Sequence, residues 1–396
     1  MSTRHNPVLG IGPSYGSHGT ACGGREKVPA AEELGLVLSN RIQPGPQSRE
    51  ASGNGQPGPE SFGIKMPSPA APGDPLTRPD FSNIDWDALK AWNANDADRL
   101  KRAMFLAFVG DRAKQANDFM AWGLRPNRIH PDSRFARDNA AVTLEDEPSL
   151  VSSTALYPTM NASEHLVAAA QVIAFALTKG QTRTSAVAAL CRVAMESSAK
   201  TIWLINENDT DERLRRCYGF IKAERGWQDK FDELEAEALA MRTDPLADGQ
   251  RAQFEQHRER FAKRQIQITD LPANARKGPP GPLDLVGEAA DWMDEHLSRK
   301  PDPELDKVIH QRGAKSFYSL GSGFVHGFKW LTDYVSDDSD LLAVTLDAFG
   351  NALRMTECAV SLFEAQSIGL QPDPRRSRNY PRGLGETVAA WAPRYR

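Results

Sequence analysis

Two sets of polar residues in this 396-residue chain have the types and spacing to do chemistry. Arg192, Glu196 and Lys200 stand four apart in a stretch otherwise rich in Ala, Val, Met and Trp, so on a helix they are neighbours with alternating charge. Tyr318, Ser322, His326 and Trp330 repeat that spacing within KSFYSLGSGFVHGFKW, where Gly321, Gly323 and Gly327 remove bulk from adjoining positions. Histidine serves as a general base near neutral pH, and Tyr, Ser or Lys orients or activates an oxygen. The candidate catalytic residues are therefore His326, Ser322, Tyr318, Lys200 and Glu196. Two plainer readings stand beside this one. Ser322 and His326 lack the orienting acid and oxyanion donors of a nucleophilic triad, so His326 also fits a structural histidine or a binder of a small polar ligand. The Arg192–Glu196–Lys200 row is either an exposed stripe, worth about 0.3 to 0.5 kcal/mol per pair, or the mouth of an inter-helical cleft.

Other chemistry is poorly represented. The glycines at 321, 323 and 327 do not have dinucleotide-loop spacing and no strand precedes them; those at 10, 12 and 16 repeat the same spacing, and no Walker loop is present. The eight histidines form no His-Glu-x-x-His pattern, and Glu164 beside His165 lacks further ligands at metal spacing, so neither a metal nor a cofactor is expected. His257 is expected to face water. Arg213, Arg215 and Arg216 make a small basic face that Asp211 and Glu212 offset. A formal net charge of −4 excludes polyanion binding by bulk field. Cys22, Cys191, Cys217 and Cys358 are scattered, as in a reducing compartment. The opening residues hold no signal-peptide core, and Leu166–Leu177 and Leu341–Phe349 fall short of the roughly 20 apolar residues that span a bilayer. The expectation is a cytoplasmic protein that makes no use of a membrane.

The elements that must position these residues are helices. Residues 1–80 hold 12 prolines and 13 glycines, too little apolar material to offset ordering entropy, and read as a disordered leader: a recruitment tail, a segment without specific role, or a start placed too far upstream. The folded part begins near Phe81. Asp85 caps a short helix with Trp86, Leu89 and Trp92; a longer one covers about Asp98 to Trp122, and prolines 126, 131, 148 and 158 make an irregular connector up to residue 158. Asn161 with Glu164 is a capping-box signature opening a helix that Gly180 ends. Further helices follow over Thr184–Ile205, from Asp209 or Asp211 to Met241 with a break at Gly226, over 248–268 with Phe254 and Phe261 as anchors, over Leu283–Leu297, Glu304–Val335 and Ser339–Phe363. The pattern is all-α, an antiparallel helical bundle over residues 159–368, preceded by helices and connector over 81–158 and followed by a basic irregular tail over 369–396. In the tail, PRRSRNYPRG reads either as solvated charge or as a contact for an acidic partner or nucleic acid. Three glycines within Tyr318–Trp330 each cost a helix about 1 kcal/mol, so this stretch is expected to press against the helix that carries Glu196.

MESSAKTIWL, ERLRRCY and YSLGSGFVHG together resemble uncharacterised bacterial all-helical proteins and, more distantly, the HEPN superfamily, over roughly residues 160 to 365. That resemblance implies a helical fold and, for active members, a metal-independent ribonuclease in which an Arg-x4-6-His motif from each of two chains faces the other, common in toxin–antitoxin and phage-defence systems. His326 would be the motif histidine. Ser319, Leu320 and Gly321 occupy the cation's places, so the motif is not intact; Lys200 or an arginine from 213–216 would have to replace it, and Arg125 to His130 matches the spacing only within a proline-bounded loop.

Four functions are therefore carried forward. The first is a noncatalytic helical scaffold or binding protein, with Ser322 and His326 buried and mutually satisfied. The second is a HEPN-like ribonuclease or defence-system component, with His326 in a basic cleft or dimer seam. The third is a small-molecule enzyme using Lys200 and His326, and the fourth a regulatory partner of a toxin or enzyme. The partners they imply are a second copy of the chain, another protein, or RNA.

Overall fold

Thr159 and Asn161 face Thr201 and Ser197 in reverse order, Thr159 Oγ1 lying 2.9 Å from Thr201 Oγ1 and Asn161 Nδ2 donating to Ser197 Oγ at 2.7 Å. The two helices that carry them are therefore antiparallel. The computed structural model describes residues 94–144, 147–296, 309–369, 376, 380–381 and 383–395. All lie in the second of two units, Met1–Met66 and Pro67–Arg396. The leader and the helix with Trp86, Leu89 and Trp92 fall outside the described residues.

Eleven α-helices appear among them: α1 Ala94–Asn117, α2 Phe119–Leu124, α3 Arg134–Ala140, α4 Leu150–Thr178, α5 Thr184–Ile205, α6 Thr210–Ala240, α7 Ala247–Asp270, α8 Pro282–His296, α9 Ile309–His326, α10 Asp338–Ser367 and α11 Leu384–Trp391. No strand occurs among the described residues, and the fold is an all-α helical bundle. No described helix is long and apolar enough to cross a membrane.

The centre is built by α4, α5 and α10. Gly180, at φ +64°, ends α4 in a left-handed C-terminal turn in which Gln181 N–H reaches the Ala176 carbonyl at 3.0 Å. The short connection then returns the chain as α5. α10 adds a different sense. Thr345 Oγ1 donates to Thr184 Oγ1 at 3.0 Å, Ser198 meets Thr356 at 3.1 Å, and Gln366 donates to the Ile205 carbonyl at 2.5 Å. The two sets of numbers rise together, so α10 runs parallel to α5, and the antiparallel expectation holds for α4 and α5 but not for this pair. The long excursion from α6 to α9 leaves α10 free to enter from either end, whereas a connection of a few residues does not. The final turns of α10, Leu362–Ser367, are buried on every side.

Three local expectations are corrected. α4 starts at Leu150 and runs through Pro158, so neither the helix start at Asn161 nor a chain break near residue 158 is present. An interior proline costs a helix about 3 kcal/mol. Here Thr159, the next residue, is buried, and its hydroxyl and that of Thr201 reach the Ala155 carbonyl at 2.7 and 3.4 Å, so the same turn is held to α5. α6 is continuous through Gly226. The tail is not wholly irregular: α11 and the 3-10 turn Ala392–Tyr395 place Trp391 and Tyr395 in the core, Trp391 edge-on to Trp292 at 5.1 Å between ring centres.

Candidate functional site

α9 buries Ala314, Phe317, Tyr318 and Gly321, spaced i, i+3, i+4 and i+7, against its neighbours. That phase brings Tyr318 onto α5. Its hydroxyl donates to Glu196 Oε2 at 3.2 Å and accepts from Arg192 Nη2 at 3.1 Å, while the Arg192 guanidinium lies 4.7 Å from the centre of the Tyr318 ring. Lys200 Nζ pairs with the other Glu196 oxygen at 3.2 Å. Burial raises the Tyr318 hydroxyl above the ordinary phenol value and the Glu196 charge adds to this, with the Arg192 bond opposing. The result is a ladder, Arg192–Tyr318–Glu196–Lys200, that pins α9 to α5. Glu196 and Lys200 remain partly exposed, so the row of α5 is neither a free surface stripe nor a fully buried network.

Ser322 and His326 are not brought into it. Helical residues advance by about 100°, so each four-residue step drifts by about 40°. Tyr318 is buried, Ser322 half-buried and His326 exposed. The expectation that these groups are buried together and satisfied is thus overturned by helix geometry. Among the described residues His326 has a ring contact with Phe328, at 5.5 Å between centres, and no hydrogen bond joins it to Ser322, Tyr318, Glu196 or Lys200. Trp330 leaves the set altogether. Gly327, at φ +63°, stops α9, and Phe328 N–H bonds back to the Gly323 carbonyl at 3.0 Å. A 3-10 turn, Lys329–Asp333, then folds Trp330 and Leu331 over Gly323, where a Cβ would come within 2.9 Å of both side chains. The close approach that Gly323 permits is therefore to the chain's own return, not to a second helix.

The bundle also holds two polar centres that sequence reasoning missed. Arg213, expected on a small basic face, is fully buried and forks onto Asp138, Nε to Oδ2 at 2.7 Å and Nη2 to Oδ1 at 2.6 Å. Its helical phase with Cys217 and Phe220 was a readable signal of burial. Glu364, fully buried in α10, accepts from Trp122 Nε1 at 2.8 Å, Tyr380 OH at 2.8 Å, Arg376 Nη2 at 3.1 Å and Asn127 Nδ2 at 3.3 Å. Two of those donors come from the segment expected to be a solvated basic tail. A lone carboxylate inside SLFEAQSIGL announces a buried partner, but nothing local says which.

Reactive alternatives are limited among the described residues. Cys191, Cys217 and Cys358 are free and buried, and burial pushes the Cys217 thiol up to about 12, far from a thiolate at neutral pH. No three His, Cys, Asp or Glu side chains gather there as a potential metal-binding group. No family model, curated protein or solved structure matches the chain.

Proposed function

We propose that this chain is a noncatalytic helical scaffold or binding protein of the cytoplasm, in which the Arg192–Tyr318–Glu196–Lys200 ladder holds α9 in place. The observation that carries this reading is the engagement of Glu196. Both of its oxygens are taken by groups of the same chain, Tyr318 and Lys200. Ser322 and His326, which would have to act as nucleophile and base, share no hydrogen bond with each other or with the ladder. The small-molecule enzyme reading loses its main support on the same ground, because Lys200 is committed to Glu196 and has no partner in common with His326.

One observation favours the ribonuclease reading that follows from the HEPN resemblance: His326 is exposed, beside exposed Phe328, Lys329, Trp330 and Tyr334. Aromatic faces with a cation can stack bases. Against it stand the exposed carboxylates Asp333 and Asp337 in the next few residues, which repel a phosphate backbone, while Asp338 is paired with Arg102 at 3.2 Å. A protein partner suits this mixture better than RNA.

The test incubates purified full-length protein and a His326→Ala variant with mixed RNA and no added metal. Equal, background-level cleavage is expected. A clear wild-type activity lost in the variant overturns the noncatalytic reading and establishes the nuclease.

A further inference from the structure

α6 and α7 form an antiparallel hairpin that buries Leu239, Phe261 and Ile268 but also turns polar groups of α6 toward α7. Arg225, Gln228 and Asp232 of α6 face α7: Gln228 meets His257 at 3.1 Å, Arg225 bonds the Arg264 carbonyl, and Arg251 of α7 reaches the Leu239 carbonyl at 3.1 Å. Asp232 is buried, and neither of its carboxylate oxygens has a hydrogen-bond partner among the described residues. Leu239 apart, the large apolar residues of the same stretch point outward. Trp227 is 71% exposed, Phe231 60% and Leu234 66%, with Ala238 exposed and Met241 78% exposed at the helix end.

Residues 227, 231, 234, 238 and 241 are spaced 4, 3, 4 and 3 apart, the heptad seam by which helices pack on one another. A monomer gains nothing by holding Trp, Phe, Leu and Met on one line in water. We propose that this stripe is the contact surface for a second copy of the chain, which docks α6 against α6 in antiparallel sense about a two-fold axis and so makes a homodimer.

The chemistry of the stripe selects this occupant. In the antiparallel register that centres the axis between Asp232 and Glu233, Trp227 of one copy meets Ala238 of the other, large against small, and Phe231 meets Leu234. The positions flanking that seam are Lys230 and Glu237, which then face one another twice, once on each side of the axis. Both are exposed and neither forms an ion pair with the described residues of its own chain, although Lys230 Nζ lies 4.7 Å from the centre of the Trp227 ring. A surface that carries its own complement of size and charge is what an isologous contact requires, and it closes after two copies. The parallel alternative would set Lys230 against Glu235 and Glu237 against Arg242. It is disfavoured because Arg242 is already forked onto Asp244 at 2.7 and 2.8 Å, and because it stacks Trp227 on Trp227. This inference does not depend on how the Tyr318 ladder is read.

The test is sedimentation velocity of the full-length chain from about 1 to 200 µM, the range in which a short two-heptad seam is expected to associate. A monomer–dimer equilibrium is expected. Leu234→Glu should weaken it by at least about tenfold, as should Lys230→Glu and Glu237→Lys singly, while the double charge swap should restore wild-type affinity to within about threefold. Far-UV circular dichroism and a thermal melt confirm that each variant is folded, and the positions are exposed enough to tolerate the changes. A chain that stays monomeric overturns the proposal. So does a dimer that Leu234→Glu leaves intact, or a double swap no tighter than the single variants.

Discussion

Asp138 and Arg213 form a forked ion pair in which both side chains are completely buried. It ties α3 to the first turn of α6, and Thr210 Oγ1 and the Glu207 carbonyl take up further donors and acceptors around it. Taking two charges out of water costs nearly as much as their attraction returns, so the pair contributes little net stability, yet losing one partner strands the other. Asp138→Ala is expected to destabilise the protein by about 3 to 5 kcal/mol, and Asp138→Leu with Arg213→Met together by much less. Urea unfolding of the three proteins decides this. Equal losses in the single and double variants would show that the charge left behind is not what costs.

Tyr318→Phe keeps the ring under the Arg192 guanidinium and deletes only the hydroxyl that bridges Arg192 and Glu196. A loss of about 1 kcal/mol is expected, the net worth of a partly buried hydrogen bond. Glu196→Ala should cost more, because it also frees Lys200, and part of its cost should vanish in the Tyr318→Phe background, where the Tyr318–Glu196 bond is already gone. Full additivity in a double-mutant cycle would mean that the two groups do not act together.

Glu212 gathers Lys277 at 2.6 Å, Arg215 at 2.9 Å and Arg216 at 3.2 Å, and so fastens the segment after α7 to α6. Burial pushes its carboxyl up, but the bonds from Lys277 and Arg216 outweigh that and hold it below the ordinary value. A depressed folded-state value means stability that is present above the unfolded value, about 4.3, and lost as pH falls through the folded one. The stability gap between wild type and Glu212→Gln is therefore expected to be widest at pH 7 and to close as the pH is lowered to about 3. Denaturant titrations at both pH values measure it, and a gap that widens in acid refutes the assignment.

Gly219 and Gly226 lie two turns apart on α6 and should respond to alanine with opposite signs. The Lys277 carbonyl sits where a Gly219 Cβ would go, held there by Lys277 N–H on the Arg215 carbonyl at 2.8 Å, so Gly219→Ala is expected to cost about 1 to 3 kcal/mol. Around Gly226 nothing lies within 4 Å, and alanine there should stabilise by about 0.5 to 1 kcal/mol. Thermal melts of both variants check the pair, and a destabilising Gly226→Ala would show that this turn needs glycine.

Local signals were legible in the sequence and tertiary ones were not. Gly180 as the stop of α4, an aspartate cap of α6 narrowed to Asp209 or Asp211 and the charged α7 around Phe254 and Phe261 all follow from residues within a few positions of the feature. Asn161 was misread because its amide serves Ser197 on another helix, not the backbone of its own. Arg213 and Arg376 were read as surface charge because nothing local ties them to their carboxylates: Asp138 is far away in sequence, and Glu364, conspicuous in its apolar run, does not say which group answers it. The drift from Tyr318 to His326 could have been worked out in advance, since four residues exceed one turn; what could not was the Gly327 turn that sends Trp330 back over Gly323.

The C-terminal segment provides the sharpest test of the core. Glu364 is wholly buried, and among the described residues Arg376 is the only cation that donates to it, reaching across from beyond α10. If Arg376 neutralises this carboxylate, Arg376→Met leaves a buried negative charge held by Trp122, Tyr380 and Asn127 alone, and about 3 kcal/mol or more should be lost. Removing that charge removes its penalty, so adding Glu364→Gln should recover part of the deficit of Arg376→Met at pH 7. Guanidinium unfolding followed by tryptophan fluorescence, to which Trp122 is one of eight contributors, gives both comparisons. A Glu364→Gln/Arg376→Met double variant no more stable at pH 7 than Arg376→Met alone would show that Arg376 contributes by packing and by its bond to the Arg128 carbonyl, not by charge.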